Sequence, residues 1–227
     1  MTRTDTKLPD PLFLVGTGRC GSSLLHRLLA AHPRAAYLTG FAQRWPGRPG
    51  RQQMAMRLAS TSGIGSRIQP RLVPGECYGW WDHHFPGFSR PGRDLRAGDI
   101  SERCQQALRR AAGRIGGGQR DLPVFKITGW PRIGLLKKVW PEARLVHVVR
   151  DGRATASSFL HVNFWEGWRG PSQWRWGSLT DDQQRRWDVA DHDFVTLAGI
   201  MLERYAEAWQ AAEPEVAEDQ LMTVKYT

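Results

Sequence analysis

The chain has 227 residues, 41% of them hydrophobic and 24% charged, which suits one globular domain with a full core. Its 32 Lys and Arg against 22 Asp and Glu give a net charge of +10, favouring an anionic ligand such as a nucleotide or a sulfated or phosphorylated product. No zinc-finger spacing, dense basic helix or arginine tail points to nucleic acid, and no apolar run nears the length of about 18 residues expected of a membrane span.

In chain order, residues 1–11 are polar and lack the apolar stretch of a signal peptide. Leu12-Phe13-Leu14-Val15, entered from Pro11, is a continuous apolar run ending in glycine, as expected of a buried parallel strand. Residues 22–31 read as a helix with Leu24, Leu25, Leu28 and Leu29 along one face, stopped by Pro33. Residues 51–59 are also predicted helical. Residues 60–98 are punctuated by glycine and proline and read as an irregular loop carrying Tyr78, Trp80, Trp81, Phe85 and Phe88. A helix over 101–112 is opened by Ser101 or Asp99. Strands are predicted at 122–127, 144–149 and 221–226, with helices at about 132–139 and 153–162 between them. Residues 163–178 form a second aromatic loop, with Phe164, Trp165, Trp168, Trp174 and Trp176. Residues 181–212 read as one long helix, or two broken near Gly199. Strands alternating with helices predict an α/β fold with a parallel central sheet flanked by helices, in a single domain over 1–227. Cysteines 20, 77 and 104 show no paired spacing, consistent with a reduced, cytoplasmic protein, and no metal-ligand pattern is present.

Gly16 and Gly21 frame a phosphate loop between the first strand and helix, but Ser22 stands where a nucleotide-hydrolysing P-loop carries its lysine. The basic group sits in the turn as Arg19. Backbone N–H groups entering the helix at Gly21–Ser23, two hydroxyls and the Arg19 fork together describe an anion site. At the end of a later strand, Arg150 is a second anion ligand, Asp151 its anchor or the helix N-cap, and Ser158 lies about two helical turns on. Arg150 beside Asp151 opposes a Walker B cation there.

Leu14-Val15-Gly16-Thr17-Gly18-Arg19-Cys20-Gly21-Ser22-Ser23-Leu24-Leu25, with Ala31-His32-Pro33 behind it, resembles the 5′-phosphosulfate loop of the sulfotransferases that use 3′-phosphoadenosine 5′-phosphosulfate (PAPS). Val148-Val149-Arg150-Asp151-Gly152-Arg153-Ala154, followed by Ser158, resembles their 3′-phosphate motif, in wording closest to the tyrosylprotein and bacterial branches. The resemblance covers most of residues 11–162 and the terminal strand. It implies a P-loop-containing, three-layer sulfotransferase-like sandwich and metal-free sulfuryl transfer from PAPS to a hydroxyl or amine, most simply of a small molecule. It places Arg19, Cys20, Gly21, Ser22 and Ser23 at the 5′-phosphosulfate and Arg150 with Ser158 at the 3′-phosphate. It also places Lys126 near the transferred group and Tyr226 near the adenine, although a core-edge tyrosine accounts for Tyr226 equally.

Two departures stand out. The related branches place a glutamate after the first helix and its turn, whereas Tyr37-Leu38-Thr39-Gly40-Phe41 has no carboxylate. Glu76, among aromatics that would raise its pKa, is the first candidate base, with a solvated loop carboxylate as the competing reading; His84 and His83 come next. Related sequences also usually continue past the last strand, which leaves three readings open: a truncated product, a site completed differently, or impaired catalysis. The tryptophan-rich loops fit either an apolar or sugar-stacking cleft or plain core packing. His147 and His161 read as structural. The alternatives in function are a P-loop kinase or NTPase and a catalytically silent nucleotide-binding protein; oligomeric state is undecided.

Overall fold

The computed structural model describes residues 10–63 and 65–227. The readings made on residues 1–9 lie outside the described residues. The strands are β1 (Leu12–Gly16), β2 (Ala35–Ala36), β3 (Leu122–Thr128), β4 (Arg144–Arg150) and β5 (Leu221–Tyr226). The helices are α1 (Ser22–Ala30), α2 (Gly40–Arg44), α3 (Pro49–Ser60), α4 (Gly65–Ile68), α5 (Tyr78–His84), α6 (Glu102–Ala112), α7 (Ile133–Val139), α8 (Gly152–Leu160), α9 (Asp181–Val189) and α10 (Phe194–Ala212).

All strand pairs are parallel, in the order β2-β3-β1-β4-β5. Alternation along β1 divides the core. Phe13 and Val15 point to the larger cluster with Phe125, Ile127 and Leu145, whereas Leu14 points to a smaller one with Val146, Val148 and Cys20, packed by Leu25 and Leu29 of α1. Helices on both faces therefore bury an apolar sheet between them, as a parallel sheet requires. The larger cluster is aromatic. Phe13 stacks on Phe125 at 5.4 Å, Trp81 meets Phe125 edge-on at 5.0 Å, and Trp81 stacks on Phe88 at 4.7 Å.

The core claims most of the loop aromatics: Trp80, Trp81, Phe88, Trp165, Trp174 and Trp176 are buried, while Phe164 and Trp168 stay exposed. Two sequence expectations change. Residues 60–98 are not wholly irregular, because α5 forms inside them with Trp80 and Trp81 as its buried face. The break in the long C-terminal helix lies at residues 190–193, not at Gly199. There Asp191 and His192 take left-handed φ of 51° and 58°, and the Asp193 carboxylate caps α10 by accepting from the N–H groups of Val195 and Thr196. Gly199 sits inside the uninterrupted α10. The two-residue β2 carries too little pattern to be read from sequence, yet it pairs with β3 at the sheet edge.

Candidate active site

β1, β3, β4 and β5 end at the same edge of the sheet, with Gly16 paired to Thr128 and Arg150 to Tyr226. That carboxyl edge is where open parallel sheets bind ligands. Between β1 and α1 the chain turns through left-handed backbone at Gly18 (φ 85°), Arg19 (φ 54°) and Gly21 (φ 88°). A Cβ on Gly21 would stand 2.5 Å from the Tyr226 ring. α1 begins with no side-chain cap, and among the described residues no N–H of residues 18–23 donates to a protein acceptor. Those N–H groups and the positive end of the helix dipole form an open cradle for an anion, so the residues present fit a phosphosulfate. Gly21→Ala is expected to destabilise the fold by about 1–3 kcal/mol through backbone strain, and by the collision with Tyr226 in addition. A thermal unfolding midpoint equal to that of the parent would show that the turn relaxes freely.

The second anion cluster touches the first. Arg19 Nε donates to Ser158 Oγ at 2.9 Å, and Arg150 Nη1 donates to the Arg19 carbonyl at 3.0 Å. The Arg150 guanidinium lies over the Tyr226 ring at 5.4 Å. Asp151 is the N-cap of α8, its Oδ1 accepting from the Ala154 N–H at 2.9 Å. Arg150 has no ion-pair partner among the described residues, which leaves its charge for a ligand.

Lys126 joins the phosphate loop to a carboxylate. Its Nζ donates to Ser23 Oγ at 2.9 Å and is paired with Glu76 Oε1 at 2.9 Å. Thr128, on the same face of β3, donates its hydroxyl to Glu76 Oε1 at 2.9 Å, and the Tyr78 hydroxyl donates to the Thr128 carbonyl at 2.5 Å. Glu76 is held from behind. Gly75 N–H donates to Leu38 O, Cys77 S–H to Thr39 O, and Gly79 N–H to Gln43 Oε1. Thr39 is in turn fixed by buried Gln52, Oγ1 to Oε1 at 2.7 Å. The turn after β2, which has no carboxylate of its own, thus clamps the segment that brings one.

Burial alone pushes the Glu76 carboxyl up, but the adjacent Lys126 ammonium and hydrogen bonds from Lys126, Thr128 and Tyr78 outweigh it and hold the group below the usual carboxylate range. The sequence expectation of a raised pKa is therefore corrected: the aromatic surroundings were legible, the cation was not. Burial, with Glu76 adding to it, pushes the Tyr78 hydroxyl up to about 12, so it remains a donor at neutral pH.

The family described as "Sulfotransferase family" matches residues 11–227. The chain belongs to the sulfotransferase family. That family moves sulfuryl groups, and membership removes the kinase or NTPase alternative. Similar solved folds include sulfotransferase STF9 from Mycobacterium avium, at 15% identity and TM-score 0.57, covering 98% of this chain and 60% of that one. Sulfotransferase STF1 from Mycobacterium tuberculosis follows at 17% identity and TM-score 0.55, covering 97% and 63%. The sulfotransferase domain from the curacin biosynthetic pathway is at 13% identity and TM-score 0.50, covering 96% and 68%. This sulfotransferase-family chain thus spans 60–68% of the length of those structures. No curated protein matches the sequence significantly.

In this sulfotransferase fold the cofactor-motif residues converge, with different side-chain fates. Cys20 is fully buried in the smaller core cluster and offers the loop only its backbone, and Ser22 is buried at the start of α1. His84 is not with Lys126. It lines a separate cavity of about 230 Å³ with Trp45, Trp80, His83, Arg110 and Arg114, and burial, followed by the His83 charge, lowers its pKa to about 4. His147 is structural: it accepts or donates one bond to the Tyr205 hydroxyl at 3.0 Å and stacks on Trp209. Thr128 and Tyr78 were missed in the sequence. The alternation Lys126-x-Thr128 on one strand was the available signal for the first, and nothing local marked the second. Among the described residues no group of three His, Cys, Asp or Glu is placed to hold a metal ion, and no helix is long and apolar enough to cross a membrane.

Proposed function

We propose that this chain transfers the sulfuryl group of PAPS to a hydroxyl or amine of a small-molecule acceptor, without a metal ion. The observation that carries the reading is the Ser23–Lys126–Glu76 connection, which sets a phosphate-loop hydroxyl, a cation and an ionised carboxylate within successive contacts of 2.9 Å. In-line transfer breaks the bond between sulfur and the bridging phosphate oxygen and forms one between sulfur and the acceptor atom. The leaving oxygen gains negative charge, which the loop N–H groups, Arg19 and Lys126 stabilise without reorganising. The acceptor proton passes to Glu76. Arg150 and Ser158 hold the 3′-phosphate, and Tyr226, already beneath Arg150, borders the adenine. The wording of the 3′-phosphate motif supports a place near the tyrosylprotein and bacterial branches, and the similar folds from mycobacteria support the bacterial one.

Titration calorimetry with 3′-phosphoadenosine 5′-phosphate (PAP) and with AMP, in the presence of a chelator, tests the donor. PAP is expected to bind more tightly, and Arg150→Ala to erase most of that preference, about 2 kcal/mol for a lost charge-assisted contact. Equal affinity for both nucleotides in the parent protein would remove the assignment. A silent binding protein would bind PAP yet give no turnover with any acceptor.

A further inference from the structure

Residues 163–178 run from the phosphate loop to the residues that follow β3. Near one end Phe164 lies beside the phosphate loop, its ring centroid 6.0 Å from Arg19 Cζ. Near the other, Trp174 and Trp176 are buried, and Trp176 packs on Trp130 at 4.8 Å. Arg175 between them is fixed through its backbone. Its N–H donates to Glu166 Oε2 at 3.1 Å, and its carbonyl accepts from Trp130 Nε1 at 2.9 Å. The guanidinium of this half-buried residue, by contrast, has no hydrogen-bond or ion-pair partner among the described residues.

Its position is specific. The guanidinium stands over Gly129, the first residue beyond β3, where an added Cβ would lie 3.8 Å from Arg175 Cζ. The preceding residue is Thr128, which binds Glu76. The charge of Arg175 is felt at both Tyr78 and Arg132. The other charges nearby are already committed. Glu76 is paired with Lys126, Glu166 is paired with Arg90, and Asp94 accepts the backbone N–H of Arg132 at 2.7 Å. The fully buried Arg132 spends its guanidinium on the carbonyls of Phe88 and Trp130. Arg175 is left as a planar fork over the residue that follows Thr128, with no hydrogen-bond or ion-pair partner for its guanidinium among the described residues, the arrangement that recognises an oxyanion bidentately.

We infer that Arg175 is a specificity residue that binds an oxyanion carried by the acceptor, a carboxylate or a phosphate ester, close to the hydroxyl or amine that receives the sulfuryl group. The inference rests on the sulfotransferase reading and deepens it: the acceptor is an anionic small molecule rather than a neutral one. A carboxylate and a phosphate present the same pair of oxygens to the fork, so the experiment carries one probe of each kind.

Fluorine NMR on protein saturated with PAP keeps both nucleotide anion sites filled. The probes are 4-fluorobenzoate, 4-fluorophenyl phosphate and the neutral 4-fluorobenzyl alcohol. At least one anion is expected to bind with the alcohol clearly weaker, and Arg175→Gln is expected to weaken the anion about tenfold, the scale of one charge-assisted contact, while PAP affinity stays at the parent value. Whichever anion binds more tightly names the acceptor group. Arg175→Lys, which keeps the charge without the fork, is expected to recover only part of the affinity. The inference is overturned if neither anion binds the parent, if Arg175→Gln binds them unchanged, or if that variant loses PAP instead. Absence of PAP binding by the parent would be a different failure, removing the donor reading itself and this inference with it.

Discussion

Glu76→Gln is expected to lower sulfuryl transfer by about 100-fold or more, the scale of a lost general base, while leaving the fold and PAP affinity intact. Glutamine keeps the shape of the side chain and an acceptor for the Thr128 hydroxyl, and Lys126 retains Ser23. What is lost is the site for the acceptor proton. With its pKa held below the usual carboxylate range, Glu76 is ionised throughout neutral pH. Its modest basicity suffices because the acceptor proton becomes strongly acidic as the new bond to sulfur forms. The acid limb of kcat/KM is accordingly expected to fall below the ordinary glutamate range in the parent, and to vanish in the Gln variant. Stability follows the same sign. A carboxyl whose folded pKa is depressed contributes stability that is present above its unfolded pKa and is lost as pH falls through the folded one. Transfer near the parent rate by Glu76→Gln would exclude the role. His84→Asn, in its separate cavity, is expected to leave the rate and its pH profile unchanged.

Lys126→Ala is expected to lower kcat by about 100- to 1,000-fold, as removal of one preorganised transition-state donor does, with a much smaller rise in the PAPS KM. The lysine side chain is nearly buried, and its ammonium stands between the loop hydroxyl and the base. Charge appears on the leaving oxygen only during transfer, so the interaction is stronger in the transition state than in the bound ground state. The variant also strands Glu76 without its cation, so PAP calorimetry on the same preparation is needed to show an intact donor site. A raised KM with unchanged kcat would show that Lys126 serves binding alone.

The sheet was legible where strands carry a continuous apolar or alternating run: those at Leu12, Leu122 and Arg144 begin buried strands, and that at Leu221 begins the exposed edge strand. The glycine-rich turn between β1 and α1 was legible because its pattern is local, with glycine, arginine and hydroxyls falling within a few residues. Glu76 was reachable by elimination, as the one acid between Asp10 and Asp82. Its electrostatics were not, because Lys126 and Thr128 lie about fifty residues away and meet it only through the tertiary fold. Arg175 escaped for another reason. Among so many arginines nothing in the sequence distinguishes one whose neighbours have all found other partners. The break before α10 was missed because glycine is a weak helix breaker, while Asp-His-Asp took the turn through side-chain capping.

Arg19 belongs to both anion clusters at once, its side chain bonded to Ser158 and its carbonyl to Arg150. On the proposed reading, the two ends of the nucleotide would therefore be read by one mechanical unit. A ligand filling the 3′ cluster is then expected to order the turn that the phosphosulfate would meet, and by linkage the reverse is expected to the same extent. Affinities of the separate fragments will not sum to that of the whole, because neighbours sharing a partner are not additive. Discrimination against nucleotides lacking the 3′-phosphate is then expected at the reacting end of the molecule as well as at the ribose.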